Sequence, residues 1–76
     1  MNWNAYAKRG DLDWLITGPQ ADPQPIHEWA GGETLAVVPI EFGSVEYMSD
    51  QVKAKGAQRI WIYNPPEWPS VMKLSP

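Results

Sequence analysis

A chain of 76 residues without one cysteine has to be held together by packing alone. At this length only about 60% of the unfolded surface is buried on folding, so one small domain over 1–76 is expected, and its core has to be rich. Five tryptophans answer that need: Trp3, Trp14, Trp29, Trp61 and Trp68. Each can bury on the order of 200 Å², so aromatic packing stands in for disulfides and most of these rings are expected inside.

Glycine and proline punctuate the chain into short elements. Over 2–9, Trp3, Tyr6 and Ala7 fall at i, i+3 and i+4, which reads as a short helix capped by Asn2 and stopped by Gly10. Asp11 is a good N-cap for a second helical turn over 12–17, with Gly18 and Pro19 beyond it; the alternation of Leu12, Trp14 and Ile16 is the competing strand reading. Residues 19–25 read as a Pro-rich connector. A hairpin follows, with a strand over 26–29, a turn at Ala30-Gly31-Gly32 and a return strand over 33–40. In the return strand Leu35-Ala36-Val37-Val38 is continuously apolar, and Pro39 limits how far it pairs inside a sheet.

The best helix covers 45–55. Ser44 caps it, Val45, Met48 and Val52 form its apolar stripe, Glu46 lies in the first turn and Lys53 and Lys55 in the last, and Gly56 ends it. A strand over 59–63 follows, with Ile60 and Ile62 on one face and Trp61 and Tyr63 on the other. Strand, helix and strand make a βαβ unit with parallel strands, and the 26–29 strand is expected antiparallel at its edge. The fold class is therefore α+β: two short N-terminal helical turns over 2–17, a β-hairpin leading into a βαβ unit over 26–63 with about three strands, and an extended Pro-rich tail over 64–76 whose Trp68 and 71–74 are expected to pack onto the domain.

The run Asp11-Leu12-Asp13-Trp14-Leu15-Ile16-Thr17-Gly18 resembles the closing segment of Cro/repressor-type helix-turn-helix domains. It covers eight of the 76 residues, and the ten before it are too few for that family's two DNA-binding helices, so DNA binding does not carry over. What the resemblance implies is a bacterial or phage origin. The N-terminus has no apolar run and no stretch is long enough to span a membrane, so a cytoplasmic protein is expected. The start at Met1 reads as that of a complete small open reading frame.

Charge is unevenly spread. Between Arg9 and Lys53 there is no positive residue, yet those 43 positions hold eight acids, so the net charge of −3 conceals a segment of −8. Asp11 and Asp13 are accounted for by the expected helix start and Asp22 by the connector. Glu28, Glu33 and Glu41 on the hairpin and Glu46 and Asp50 on the helix remain, and they matter most if they share a face.

Catalytic and metal chemistry find little footing. Nucleophilic catalysis would need one of four Ser or two Thr beside His27, and no Gly-x-Ser-x-Gly turn exists. His27 and Glu28, adjacent in an expected strand, point to opposite faces. Asp11-x-Asp13 is a fragment of a calcium loop without its remaining ligands. Neither catalytic residues, metal ligands nor a cofactor are expected. Lys53, Lys55 and Arg59 with Trp61 and Tyr63 form one basic, aromatic cluster, but three bases neutralise only about three phosphates against an overall acidic chain with a pI near 4.8.

Protein binding fits better. Glu46 and Asp50 repel each other at i, i+4, which costs a few tenths of a kcal/mol that a basic partner would offset. Pro65-Pro66-Glu67-Trp68-Pro69 is a stiff segment carrying one anchor ring. The expected function is a non-enzymatic protein-binding module that docks Glu28, Glu33, Glu41, Glu46, Asp50, Trp29 and Trp68 onto a basic partner. Its concrete form is a phage or mobile-element inhibitor of the anti-CRISPR or other anti-defence type, covering the nucleic-acid-binding surface of an effector complex. The alternatives are an antitoxin or immunity protein blocking a toxin, and a small nucleic-acid-binding regulator using Lys53, Lys55, Arg59 and Trp61.

Overall fold

Trp3, Ala5 and Ala7 alternate with Asn4, Tyr6 and Lys8, and this period of two decides the start of the chain. The computed structural model, which describes residues 2–19, 21–63 and 71–73, makes the segment strand β1 (Asn2–Lys8) instead of the helix expected over 2–9. Alanine favours a helix in isolation. Here Ala5 and Ala7 are buried in the interior of a sheet, and tertiary packing overrides propensity.

Strand β2 (Asp13–Thr17) replaces the second expected helix, so the alternation of Leu12, Trp14 and Ile16 was the true signal. Asp11 is not an N-cap. Gly10 and Asp11 both have positive φ, 66° and 68°, and the Leu12 N–H reaches the Arg9 carbonyl at 3.4 Å, as in a type I′ hairpin turn. Every residue of β2 is buried, because the strand lies between two others and both its faces are covered.

Helix α1 (Pro23–Ala30) stands where the connector's end, the strand over 26–29 and the turn at 30–32 were expected. Asp22 caps it by accepting the Gln24 N–H at 3.0 Å. Pro23 and Pro25 fall in the first turn, where backbone N–H groups have no helical partner to lose. Gly31, at φ 58°, closes the helix by donating its N–H to the His27 carbonyl at 3.1 Å.

Helix α2 (Val45–Lys53) and strand β4 (Arg59–Tyr63) match the sequence reading, with α2 ending two residues earlier. Strand β3 (Ala36–Glu41) begins three residues later than the return strand expected over 33–40, and its apolar run is exposed or half-buried because the strand lies at the sheet edge. The Ser44 hydroxyl accepts the Tyr47 N–H at 3.0 Å as the cap. Met48 and Val52 are buried, whereas Val45, counted in the same stripe, is exposed. Strand β5 (Val71–Lys73) pairs antiparallel with β4. The rest of the Pro-rich tail, Trp68 included, lies outside the described residues.

The result is an α+β domain around one mixed sheet of order β3-β1-β2-β4-β5. Strand β1 is antiparallel to both β2 and β3, and β2 is parallel to β4. Strands β3 and β4 do run in the same direction, but β1 and β2 lie between them, so the expected compact βαβ unit is corrected to a wide crossover. The connection β2–α1–β3 crosses the sheet one way and β3–α2–β4 crosses back. A common right hand for both crossovers puts the two helices on opposite faces.

That is the observed arrangement. The α2 face holds the main core: Trp3, Ala5, Ala7, Trp14, Ile16, Ile40, Ile60 and Ile62 beneath Met48 and Val52. On the other face α1 lies over Leu15 and Trp61 of the central strands. There Lys8 donates to the Trp29 carbonyl and stands 4.2 Å from the centre of the Trp29 ring. The Trp29 ring meets Trp61 edge-on at 6.2 Å between centroids.

Strand β3 is an edge, and the sequence blunts it. Gln51 of α2 accepts the Glu41 N–H at 3.1 Å and donates to the Glu41 carbonyl at 2.7 Å. Those groups therefore point away from β1, and the alternation of an antiparallel ladder turns the Pro39 backbone the same way. The missing Pro39 N–H costs the sheet no bond and leaves one donor fewer for a second strand to use.

One buried group on the α1 face stands out. Thr17 is fully buried, and its Oγ1 has no hydrogen-bond partner among the described residues. Thr17→Val is expected to raise stability by about 1 kcal/mol, because it removes a buried hydroxyl and keeps the side-chain shape. Thermal melts followed by circular dichroism should show a gain of roughly 4–8 °C; a loss of similar size would mean the hydroxyl is satisfied.

Candidate functional site

The sheet separates the acids that the sequence groups together. Glu28 lies on α1, where its carboxylate accepts the Gln24 side-chain amide at 3.3 Å. Glu33 follows α1 and pairs with Arg9 at 3.9 Å. Glu41, Glu46 and Asp50 belong to the opposite, α2 side: Glu41 accepts the Tyr47 hydroxyl at 3.3 Å, and Glu46 and Asp50 line a shallow groove with Val45, Ser49 and Lys53. The five acids do not share one face; three of them gather around α2.

Asp11 and Asp13 also take other parts than a helix start. Asp13 is only 2% exposed and pairs with the partly exposed Arg59, whose Nε is 2.5 Å from its Oδ1. The Arg9 Nη1 is 3.4 Å from Oδ2. The Arg59 contact works through charge; its geometry does not make a hydrogen bond. Two side chains of the basic cluster are thereby occupied, Arg59 by Asp13 and Trp61 by Trp29, which leaves Lys53 and Lys55 exposed at the end of α2.

Trp29 is half-buried, with Lys8 over its ring and Trp61 at its edge, so its ring is engaged within the fold. His27 and Glu28 sit on a helix and not on a strand; His27 borders an apolar groove of about 330 Å³ with Tyr6, Ile26, Ala30 and Leu35. Burial, reinforced by the charges of Asp22 and Glu28, pushes the Tyr63 phenol above the ordinary tyrosine value. Among the described residues no three His, Cys, Asp or Glu side chains gather as a metal ion would need, and no helix is long and apolar enough to cross a membrane.

The chain matches no protein-family model, no curated protein and no solved structure.

What the sequence reading missed is apolar. Of the five large hydrophobic residues exposed among the described ones, Phe42, Val45 and Tyr47 crowd into six positions at the start of α2, exposed by 46%, 42% and 45%. Phe42 stacks on Trp3 with centroids 4.8 Å apart and planes 18° apart, so its inner face is anchored on the core and the rest faces solvent. Tyr47 lies against Gly43, where a Cβ would stand only 2.6 Å from Tyr47 Cδ2. From there its hydroxyl reaches Glu41. The Glu41 charge, and then that hydrogen bond, push the Tyr47 phenol above its ordinary value. The signal was present in the sequence as Phe42 two residues ahead of the cap and Val45 in the first turn, positions where an apolar residue projects beyond the helix's buried face.

Proposed function

We propose that this protein is a non-enzymatic protein-binding module whose docking surface is the start of α2: Phe42, Val45 and Tyr47, bordered by Glu41, Glu46 and Asp50. The observation that carries it is the concentration of exposed apolar side chains at Phe42, Val45 and Tyr47 beside the carboxylates of Glu41, Glu46 and Asp50. Scattered exposed hydrophobics are ordinary; three in six consecutive positions are a local concentration of the kind docking surfaces use. The partner is a protein with a basic surface, and the concrete form of the activity is inhibition by covering a surface that otherwise holds nucleic acid. Carboxylates then meet the lysines and arginines that would contact phosphates, and the aromatic rings supply the buried anchors.

Partner capture from a bacterial lysate, compared between variants of the two faces, tests the reading. Combined Glu41→Lys, Glu46→Lys and Asp50→Lys is expected to weaken capture about tenfold or more and Phe42→Ser to weaken it likewise, while Glu28→Lys on the α1 side leaves it intact. Equal behaviour of the two faces, or tight salt-sensitive binding of DNA by the unmodified protein, would overturn it.

A further inference from the structure

Tyr47 and Glu41 form a built pair rather than two side chains that happen to be near. Gly43 carries no side chain, and only for that reason can the Tyr47 ring lie where it does; a Cβ there would stand 2.6 Å from Cδ2 and 3.3 Å from Cγ. The Ser44 cap fixes the Tyr47 backbone through its N–H. The hydroxyl donates to Glu41 Oε2, and Glu41 is itself fastened through its backbone to Gln51. An aromatic ring and a carboxylate are thus held side by side, with the ring half exposed.

We propose that this pair receives an arginine side chain of the partner, the guanidinium covering the Tyr47 ring and pairing with the Glu41 carboxylate. The inference rests on the docking surface proposed above and names its central contact. Charge complementarity selects a cation, since no lysine or arginine lies between Arg9 and Lys53 in the sequence and Glu46 adds a second acid on the same turn. Geometry selects arginine over lysine. A planar guanidinium stacks on a ring while its fork meets a carboxylate, whereas an ammonium is a compact, strongly hydrated point charge. Glu41 keeps acceptor capacity for this, because a carboxylate has about four lone-pair sites and the phenol uses one. The raised pKa of the phenol agrees with the arrangement: it stays neutral and keeps donating to Glu41, leaving the carboxylate charge for the incoming cation.

The test uses the full chain and two short synthetic peptides of equal length and charge, one arginine-rich and one lysine-rich, titrated by calorimetry and by NMR of the tyrosine ring protons. The arginine peptide is expected to bind about three- to fivefold more tightly. Gly43→Ala, which pushes the ring away without removing any exposed group, and Tyr47→Leu, which removes the ring, should each abolish that preference, so that the arginine peptide binds no more tightly than the lysine peptide to the same variant. Saturation with the arginine peptide should also lower the Tyr47 titration midpoint, read by tyrosinate absorbance. Equal affinity for the two peptides, no binding of either, or a preference that survives both variants would overturn the proposal. Equal affinities that are still lost on reversing Glu41, Glu46 and Asp50 would overturn the arginine contact alone and leave the docking surface standing.

Discussion

Arg59→Ala is expected to destabilise the protein by about 3 kcal/mol, out of a total on the order of 4–11 kcal/mol for a domain of this size. The reason is Asp13, which is 2% exposed at the head of a central strand and depends on Arg59 at 2.5 Å. Removing the arginine leaves a buried carboxylate short of its nearest cation. Arg9 remains at 3.4 Å, but it is also drawn toward Glu33 at 3.9 Å, so it replaces Arg59 only in part and the loss falls at the lower end for a buried pair. The reverse substitution is unequal. Asp13→Asn frees two arginines that are already partly in water, so it should be the milder change, and Arg59→Ala added to it should have little further effect. Urea unfolding of the two single variants and the double variant measures this directly, with a drop in melting temperature of roughly 12–24 °C for Arg59→Ala alone. Additive losses in the double variant would show that the pair is not coupled.

Trp14→Ala is expected to cost about 3–5 kcal/mol and to leave much of the protein unfolded at physiological temperature. Trp14 is 3% exposed and packs in the main core, in register with Ala7 on one side and Ile60 on the other. Its Nε1 also donates to the Asp11 carbonyl at 2.7 Å, tying the β1–β2 turn to the core. Asp11 holds a positive φ there, a conformation that non-glycine residues adopt only when something fixes them. Trp14→Ala removes both the packing and the tie. Trp14→Phe keeps most of the apolar volume and loses only the tie, so it should cost roughly half as much or less. Circular-dichroism melts and urea midpoints separate the two variants; equal losses would place the whole effect in the hydrogen bond.

Elements whose instructions are local were legible. Helix α2 has its cap at Ser44, its first-turn acid at Glu46, its last-turn base at Lys53 and two buried residues a turn apart, Met48 and Val52, and all of these operate within the segment itself. Strand β4 alternates without ambiguity. Strand β1 did not: a seven-residue strand satisfies both the helical spacing of Trp3, Tyr6 and Ala7 and the alternation of Trp3, Ala5 and Ala7. Only the sheet chose between them, by burying the alternating set. Helix α1 failed for another reason. Two prolines in eight residues look like a breaker, although Asp22-Pro23 and Gly31 are a sound cap, first position and stop.

The candidate site divides in the same way. Its acids were visible as a run of one sign, but their grouping was not, because Glu28 and Glu41 are thirteen positions apart in the chain and lie on opposite sides of the sheet. Asp13 looked like a helix-start acid and became the buried partner of Arg59, a contact that depends on β2 and β4 being neighbours.

The sequence by itself determined that this is a small cysteine-free α+β chain, with α2 and β4 in place and eight of its nine acids between Arg9 and Lys53. It could do so because composition, caps and periodicity act within a few residues of one another. The tertiary structure decided the strand order, the separation of the two helices onto opposite faces, and the exposure of Phe42, Val45 and Tyr47 beside Glu41. Those outcomes depend on which strands pair and in what register, and pairing is a relation between distant segments that no single segment encodes.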